Sequence, residues 1–276
     1  VANLTRVQRI DTGLEAYLSE VGTVFRTFRQ QDSSCVSYGV EVKGRCWFVK
    51  HSSNPRGMAA LRRARHVGTR VRHPALPRFW NSLRTPGGLA LVYDWVPGEL
   101  LYDYTVARGE GGRNDPLAAH ARFRALPPAR ISAVLHTIYD VHLVLAGHGF
   151  VAVDFYDGCI LYDFGRGSTF ICDLDEYRPS PFILDRERLP GSRRFMAPEE
   201  WTRGALIDQV TNVYTLGRAA LVLLGDGSRL ASAWRGSEAM WAVASRATEM
   251  EREARYPSVR AFVQAWRLAV SELGAS

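Results

Sequence analysis

Three residues carry the chemistry that this sequence can do. Lys50 follows the apolar and aromatic run "CWFV", and Asp154 and Asp173 follow "VAV" and "FIC". Only two of the 35 basic residues, Lys43 and Lys50, are lysines. A lysine kept behind an apolar strand in a chain that otherwise uses arginine suggests a need for a compact point charge, one that fits between phosphate oxygens better than a guanidinium does. Carboxylates at strand ends suit metal-assisted phosphoryl transfer, in which one orients an acceptor hydroxyl and another holds magnesium against phosphates. Together, Lys50, Asp154 and Asp173 would suit a phosphate-bearing substrate. Any one of them taken alone also reads as a surface lysine or a turn aspartate.

The elements that must position these residues follow from periodicity. Leu14, Tyr17, Leu18 and Val21 recur at helical spacing. The β-prone runs "VFRTF", "CVSYGVEV" and "RCWFVK" come next, with Lys43 and Gly44 at an exposed hairpin tip. An arginine-rich helix breaks at His73-Pro74 and is followed by two more strands, "PRFWNSL" and "GLALVYDWV". Beyond Pro97-Gly98 the chain turns mainly helical. Residues 107–128 read as an extended surface insertion rich in Gly, Pro and Arg. Ile131, Val134, Leu135, Ile138, Val141 and Leu145 mark a long amphipathic helix, and "CILYDF" and "TFICDL" form a strand pair joined at "GRGS". "VYTLGRAALVLLG" is apolar all round and reads as a buried helix, and the spacing of Val259, Phe262, Val263, Trp266, Val270 and Leu273 predicts a last amphipathic one. The fold class expected is α+β, with a small antiparallel-sheet lobe over residues 1–96 and a larger helical lobe over 97–276.

Composition narrows the function classes. The 276 residues, 46% hydrophobic and 23% charged, suffice for one large domain or two lobes sharing a cleft. The charge of +7 is spread as arginine without aromatic interleaving, so no nucleic-acid partner is expected, and the stretch "RGMAALRRARHVGTRVRHP" reads as a solvated helix face. Cys35, Cys46, Cys159 and Cys172 lack the paired spacing of a zinc or redox site and read as reduced thiols. No apolar run reaches the roughly 18 residues of a membrane span, and no basic-then-apolar leader opens the chain. A cytoplasmic protein without a membrane partner is the expectation.

The stretch "GSRRFMAPEE", residues 191–200, carries a more specific signal. Ala197-Pro198-Glu199, preceded by Gly191-Ser192 and Phe195-Met196, resembles the end of a protein-kinase activation segment. Other stretches fall into order around it. Val49-Lys50 resembles the strand end with the phosphate-contacting lysine, and "LVYDWVPGELL" resembles the hinge, with Tyr93 at the gatekeeper place. "GFVAVD" resembles the approach to the catalytic loop, Asp173-Leu174-Asp175 stands at the metal-binding triplet, and "ARYPS" resembles the later arginine site. The likeness spans roughly residues 28–270 and extends to short bacterial proteins of Ser/Thr-kinase type with "VDFYDG" and "DLDEY" signatures.

The resemblance implies a two-lobed protein-kinase-like fold with ATP in the cleft between lobes, and a phosphotransferase that uses ATP and Mg2+. It implies Asp154 as catalytic base, Lys50 on the α/β-phosphates and Ser192 steadying the loop. Ser33 and Ser34 would approach the phosphates, and Asp94, Trp95 and Val96 would line the adenine edge. Asp173, joined by Asp175, would hold the metal, and Glu199 would pair with Arg255. The acceptor hydroxyl would be a protein Ser or Thr, with a small molecule as the second choice.

Several positions depart from the family pattern. Ala152 and Val153 replace the usual His and Arg, so no arginine there awaits a phosphorylated loop. Tyr156 replaces a lysine, and Cys159 replaces a metal-binding asparagine at the cofactor. A soft thiol suits magnesium poorly, and a small buried thiol is the plainer reading. "QQDSSCVSYG" has one glycine where three are usual, and Ala64, flanked by Arg63 and Arg65, replaces the glutamate that would pair with Lys50. These departures keep a second function class open, a pseudokinase that binds nucleotide or a partner without turnover. Oligomeric state is not assigned.

Overall fold

The structure is a computed structural model that describes residues 4–29, 34–103 and 115–271. It is α+β, and the chain divides into two compact units. The first comprises residues 1–97 and 172–176, the second residues 98–171 and 177–276. Residues 172–176, which carry Asp173 and Asp175, thus group with the first unit although they lie far beyond Pro97 in sequence.

The first unit is built on a five-stranded antiparallel sheet. Helix α1 (Leu14–Val21) precedes β1 (Thr23–Phe28), β2 (Val36–Val42) and β3 (Arg45–Ser52), then come α2 (Pro55–Gly68), β4 (Phe79–Thr85) and β5 (Gly88–Asp94), with strand order β1-β2-β3-β5-β4. Lys43 and Gly44 turn the β2–β3 hairpin with φ of 56° and 75°, the left-handed pair that a two-residue hairpin requires. Asn54 caps α2, its side-chain oxygen accepting from the Arg56 amide at 2.8 Å, and Pro55 stands where no helical donor is needed.

Alternation along the strands gives the sheet two covered faces. Val40, Val42, Trp47, Val49, Ala90 and Val92 pack with Leu14, Tyr17 and Leu18 of α1, whereas Leu91 packs with Leu61 and Ala64 of α2. Lys50 pairs in register with Leu91 and so shares the α2 face. The strand does not end at Lys50: His51 and Ser52 continue the ladder opposite Ala90 and Leu89. Ser52 is buried because its hydroxyl donates to the Ser34 carbonyl at 2.8 Å.

The second unit begins with β6 (Glu99–Leu100), α3 (Ala119–Arg124) and α4 (Pro128–Gly147). Strands β7 (Phe150–Val151), β8 (Ile160–Asp163), β9 (Ser168–Ile171), β10 (Arg178–Pro179), β11 (Phe182–Ile183) and β12 (Leu206–Ile207) follow, then helices α5 (Gln209–Leu224), α6 (Glu238–Ala247) and α7 (Val259–Ser271). Sheet β6-β8-β9 and the ribbons β7-β10 and β11-β12 are antiparallel. Its core joins α4, α5 and α7: the Tyr139 ring meets Phe262 and Trp266 edge-on at 4.9 and 5.2 Å, and its hydroxyl donates to the Leu216 carbonyl. Helix α5 buries most of its residues, which matches its unbroken apolar sequence.

The expected surface insertion at 107–128 needs correction. Residues 104–114 lie outside the described residues, but 119–124 form α3, anchored by Phe123, which is wholly buried with its ring edge-on to Tyr162 at 5.1 Å. One anchor among arginines leaves no readable period. Among the described residues no helix is long and apolar enough to cross a membrane.

Candidate functional site

The first unit buries Lys50 between two acids. Its ammonium lies 2.8 Å from Asp173 Oδ1 and 2.6 Å from Asp175 Oδ2, and the residue is only 6% exposed. Burial alone would lower its pKa. The Asp173 and then the Asp175 carboxylates outweigh that cost and hold Lys50 charged, well above the ordinary lysine range. The two acids differ in access, because the Asp173 side chain is 45% exposed whereas that of Asp175 is buried and committed to Lys50.

Both acids lie beyond the end of β9, not at its last position. Asp173 has φ of 60°, a left-handed conformation that a non-glycine residue adopts at a cost. The segment is held from α2: Arg63 Nε donates to the Asp175 carbonyl at 2.8 Å, and its Nη2 pairs with the Glu176 carboxylate. Ala64 is buried in the apolar contact with Leu61 and Leu91. Tyr93 sits on the same site. Burial, reinforced by Asp175, raises its hydroxyl pKa, and its ring is edge-on to Phe79 at 5.6 Å. Burial and then Asp173 push the Cys172 thiol up to about 12, against Lys50, so it stays protonated.

The other nucleotide candidates of this unit fall at different places. Ser33 lies outside the described residues. Ser34 has φ of 57°, and its carbonyl is tied to Ser52. Asp94 spends its carboxylate on Arg45 at 2.6 Å and on the Trp80 indole N–H at 2.9 Å. Trp95 packs edge-on against Phe25 at 4.9 Å, and Val96 is half-buried.

The second unit presents Asp154. It also follows its strand, β7, by three residues and has φ of 64°. The strand extension before it is clamped by Asn212 of α5, which accepts from the Ala152 amide at 2.8 Å and donates to the Ala152 carbonyl at 2.9 Å. The Cys159 thiol is buried and donates to the Asp154 carbonyl at 3.3 Å, so it steadies the loop through its backbone. Ala152, Phe155, Gly191, Phe195, Met196, Glu200 and Thr215 line a small pocket with Asp154. Gly191, at φ of 150°, lets the chain pass, since a Cβ there would approach Met196 Cγ to 3.0 Å. Ser192 closes the adjoining turn by accepting from the Phe195 and Met196 amides at 2.9 and 3.2 Å.

Buried charged groups hold this loop. Asp157, with 0% exposure, pairs with Arg194 at 2.9 Å and lies 3.4 Å from His120 Nδ1 on α3, while Arg218 of α5 donates to the Arg194 carbonyl at 2.6 Å. Glu199 and Arg255 meet in a two-point pair of 2.8 and 3.1 Å, and Arg252 adds a contact at 2.6 Å. Glu200 accepts from the Ala197 amide at 2.6 Å. Its carboxyl is raised to about 8, first by burial, with Glu199 and Asp154 adding to it. His142 lies behind Phe155 with ring centroids 4.5 Å apart. Burial lowers it to about 4, so it is neutral beside Tyr177.

None of the four cysteines forms a disulfide. Among the described residues no group of three or more His, Cys, Asp or Glu side chains is placed to hold a metal ion. No protein-family model matches the chain.

Proposed function

We propose that the protein is an ATP- and magnesium-dependent phosphotransferase of the protein-kinase-like superfamily, its two units being the two lobes of that fold, and that it acts on a hydroxyl group. The observation that carries this reading is the buried Lys50 ammonium held by Asp173 and Asp175. A buried charge with two opposing partners is costly to assemble for stability alone, and such clusters concentrate at functional sites.

On this reading Lys50 neutralises the α/β-phosphates, releasing part of its hold on the acids as it does so. Asp173, the exposed hard-oxygen donor, would hold the magnesium, and Asp175 is the lysine's counter-ion with a second oxygen nearby. A magnesium that rides on nucleotide phosphates needs one or two protein carboxylates, so this donor set fits. When bound, the ion offsets phosphate charge as the transfer proceeds. Cys159 is not a ligand in this scheme, because its thiol is soft and is used on the Asp154 carbonyl. Asp154 accepts the hydrogen bond of the acceptor hydroxyl and takes its proton as the new oxygen–phosphorus bond forms and the bond to the ADP leaving group breaks. Ser192 and Gly191 hold the turn beside it. A protein Ser or Thr is the acceptor of choice, ahead of a small molecule. Four cysteines without a disulfide among them suit a cytoplasmic setting.

Label from γ-labelled ATP, followed into peptide and metabolite pools, tests the reading. Asp154→Ala should abolish transfer while nucleotide binding stays near wild type, and surviving turnover would overturn the assignment. The second reading, a pseudokinase scaffold, is favoured by Cys159, which supplies no hard oxygen where the family has one. Thermal unfolding with Mg-ATP separates the two: ligand at about 100 times its Kd adds about 2.7 kcal/mol. A magnesium-dependent shift that chelation removes, together with label transfer, supports the enzyme. A shift without transfer supports the scaffold.

A further inference from the structure

A lysine gripped by two carboxylates is only as well placed as the acids themselves, and these acids sit on residues 172–176, which belong to no helix or strand. Their anchor is on α2. The guanidinium of Arg63 presents Nε and one Nη along a single planar edge, and that edge meets two successive residues: Nε takes the Asp175 carbonyl at 2.8 Å, and Nη2 takes the Glu176 carboxylate. With its backbone fixed this way, Asp175 turns its carboxylate to Lys50 at 2.6 Å. Arg63 and Glu176 are 28% and 21% exposed, so the pair is well shielded compared with a rim ion pair whose worth is near zero. The next residue of the helix, Ala64, is buried in apolar contact and has no carboxylate to offer.

We propose that Arg63 is the positioning residue for Lys50, and that α2 controls the lysine by clamping the acid-bearing segment with a cation. The connection runs from α2 through Arg63 to the Asp175 backbone, then through the Asp175 carboxylate to the ammonium. Charges alternate along it, Arg63 against Glu176 and Lys50 against Asp175 and Asp173. A shift of α2 therefore moves the counter-ion of Lys50 directly. The proposal concerns what holds Lys50 and stands with or without turnover. Only its consequence, that Arg63 tunes nucleotide affinity, rests on the phosphotransferase reading.

The chain's lysine content makes the test direct. Lys43, at the exposed hairpin tip, is the internal reference for Lys50, so amine acylation of the full chain followed by peptide mass spectrometry, which separates both from the N-terminal amine, reports on the two lysines individually. In wild type Lys50 should label far more slowly than Lys43. Arg63→Met should speed Lys50 labelling about three- to tenfold, the net scale of one ordinary hydrogen bond at a partly exposed site, with Lys43 unchanged. Arg63→Lys reaches only one of the two acceptors and should fall between. In an Asp175→Asn background Arg63→Met should add nothing, because the connection is already cut. Generalised loosening would raise Lys50 labelling equally in both backgrounds, and that result, or no change in Lys50 with Arg63→Met, overturns the proposal. If Arg63→Met does not fold, Glu176→Gln, nearly the same size, should give a smaller rise in the same direction, and no rise overturns it. Failure of Mg-ATP to protect Lys50, with the mutant pattern intact, would count against the phosphotransferase and leave the clamp standing.

Discussion

Replacing Glu200 by Gln should make the protein more stable, by an amount that grows from about pH 5 to about pH 8 and is constant beyond. The wild-type carboxyl is 3% exposed, and burial, aided by Glu199 and Asp154, raises it from 4.5 to about 8 in spite of the Ala197 amide. Between those two values the native state holds a proton that the unfolded chain has released, so the slope of stability against pH is negative there. The contribution of this group is complete below about pH 4.5, falls as pH rises towards 8, and is constant beyond. The values lie about 3.5 pH units apart, and at about 1.4 kcal/mol per unit the full loss is about 5 kcal/mol, or about 3 once local relaxation and water entry are allowed for. Glutamine keeps an oxygen for the Ala197 amide and removes the titration. Urea unfolding of both proteins at pH 5, 7 and 9 should show near parity at pH 5 and a gain of about 3 to 5 kcal/mol for Glu200→Gln at pH 9. A stability difference that is the same at pH 5 and pH 9 would refute the reasoning, because Glu200 would then not be the group that titrates.

Other substitutions probe the contacts around the same pocket. Arg255→Met removes both bonds of the two-point pair but leaves Arg252 on Glu199, so the loss should be about 2 to 3 kcal/mol, at or below the low end for a broken buried pair, measured by urea unfolding at pH 7. Arg194→Met removes the 2.9 Å cationic partner of the buried Asp157 and should cost about 3 kcal/mol, with faster hydrogen exchange at residues 154–159 than at α7. Cys159→Ala removes a weak donor and a small volume and should cost about 1 kcal/mol while leaving the Mg-ATP thermal shift unchanged; a lost shift would return Cys159 to the metal.

The fold was legible where residue type or spacing marks an element. The three-four spacing over 131–145 states directly which residues face inward, and the β-prone runs between 36 and 50 mark strands whose two faces are both covered. Where burial is satisfied by polar contacts, that signal fails. Ser52 lies beyond the expected strand end, yet it is buried inside the strand, where its hydroxyl donates to the Ser34 carbonyl. The expected ends of the strands before Asp154 and Asp173 were misplaced for a related reason: "VAV" and "FIC" continue apolar past the last ladder pair, and the chain then bends into left-handed φ at each acid, a conformation that sequence pattern does not encode.

Within the site, scarcity and context decided what could be read. Lys50 stood out because lysine is rare in this chain, whereas Arg63 lies in "LRRARHVG" among equals. Which of those arginines matters depends on where a segment 112 residues later arrives. Glu199 and Glu200 make the same point most sharply, for they are chemically identical neighbours and both are buried. Burial pushes both carboxyls up, but Arg255 at 2.8 and 3.1 Å pulls Glu199 below its ordinary value, while Glu200, given only a backbone amide, rises to about 8. At neutral pH one is therefore an anion and the other mostly a neutral acid facing Asp154. The dipeptide alone does not distinguish them: the resemblance at Ala197-Pro198-Glu199 assigns an arginine 56 residues away to Glu199, and nothing in it bears on the neutral Glu200.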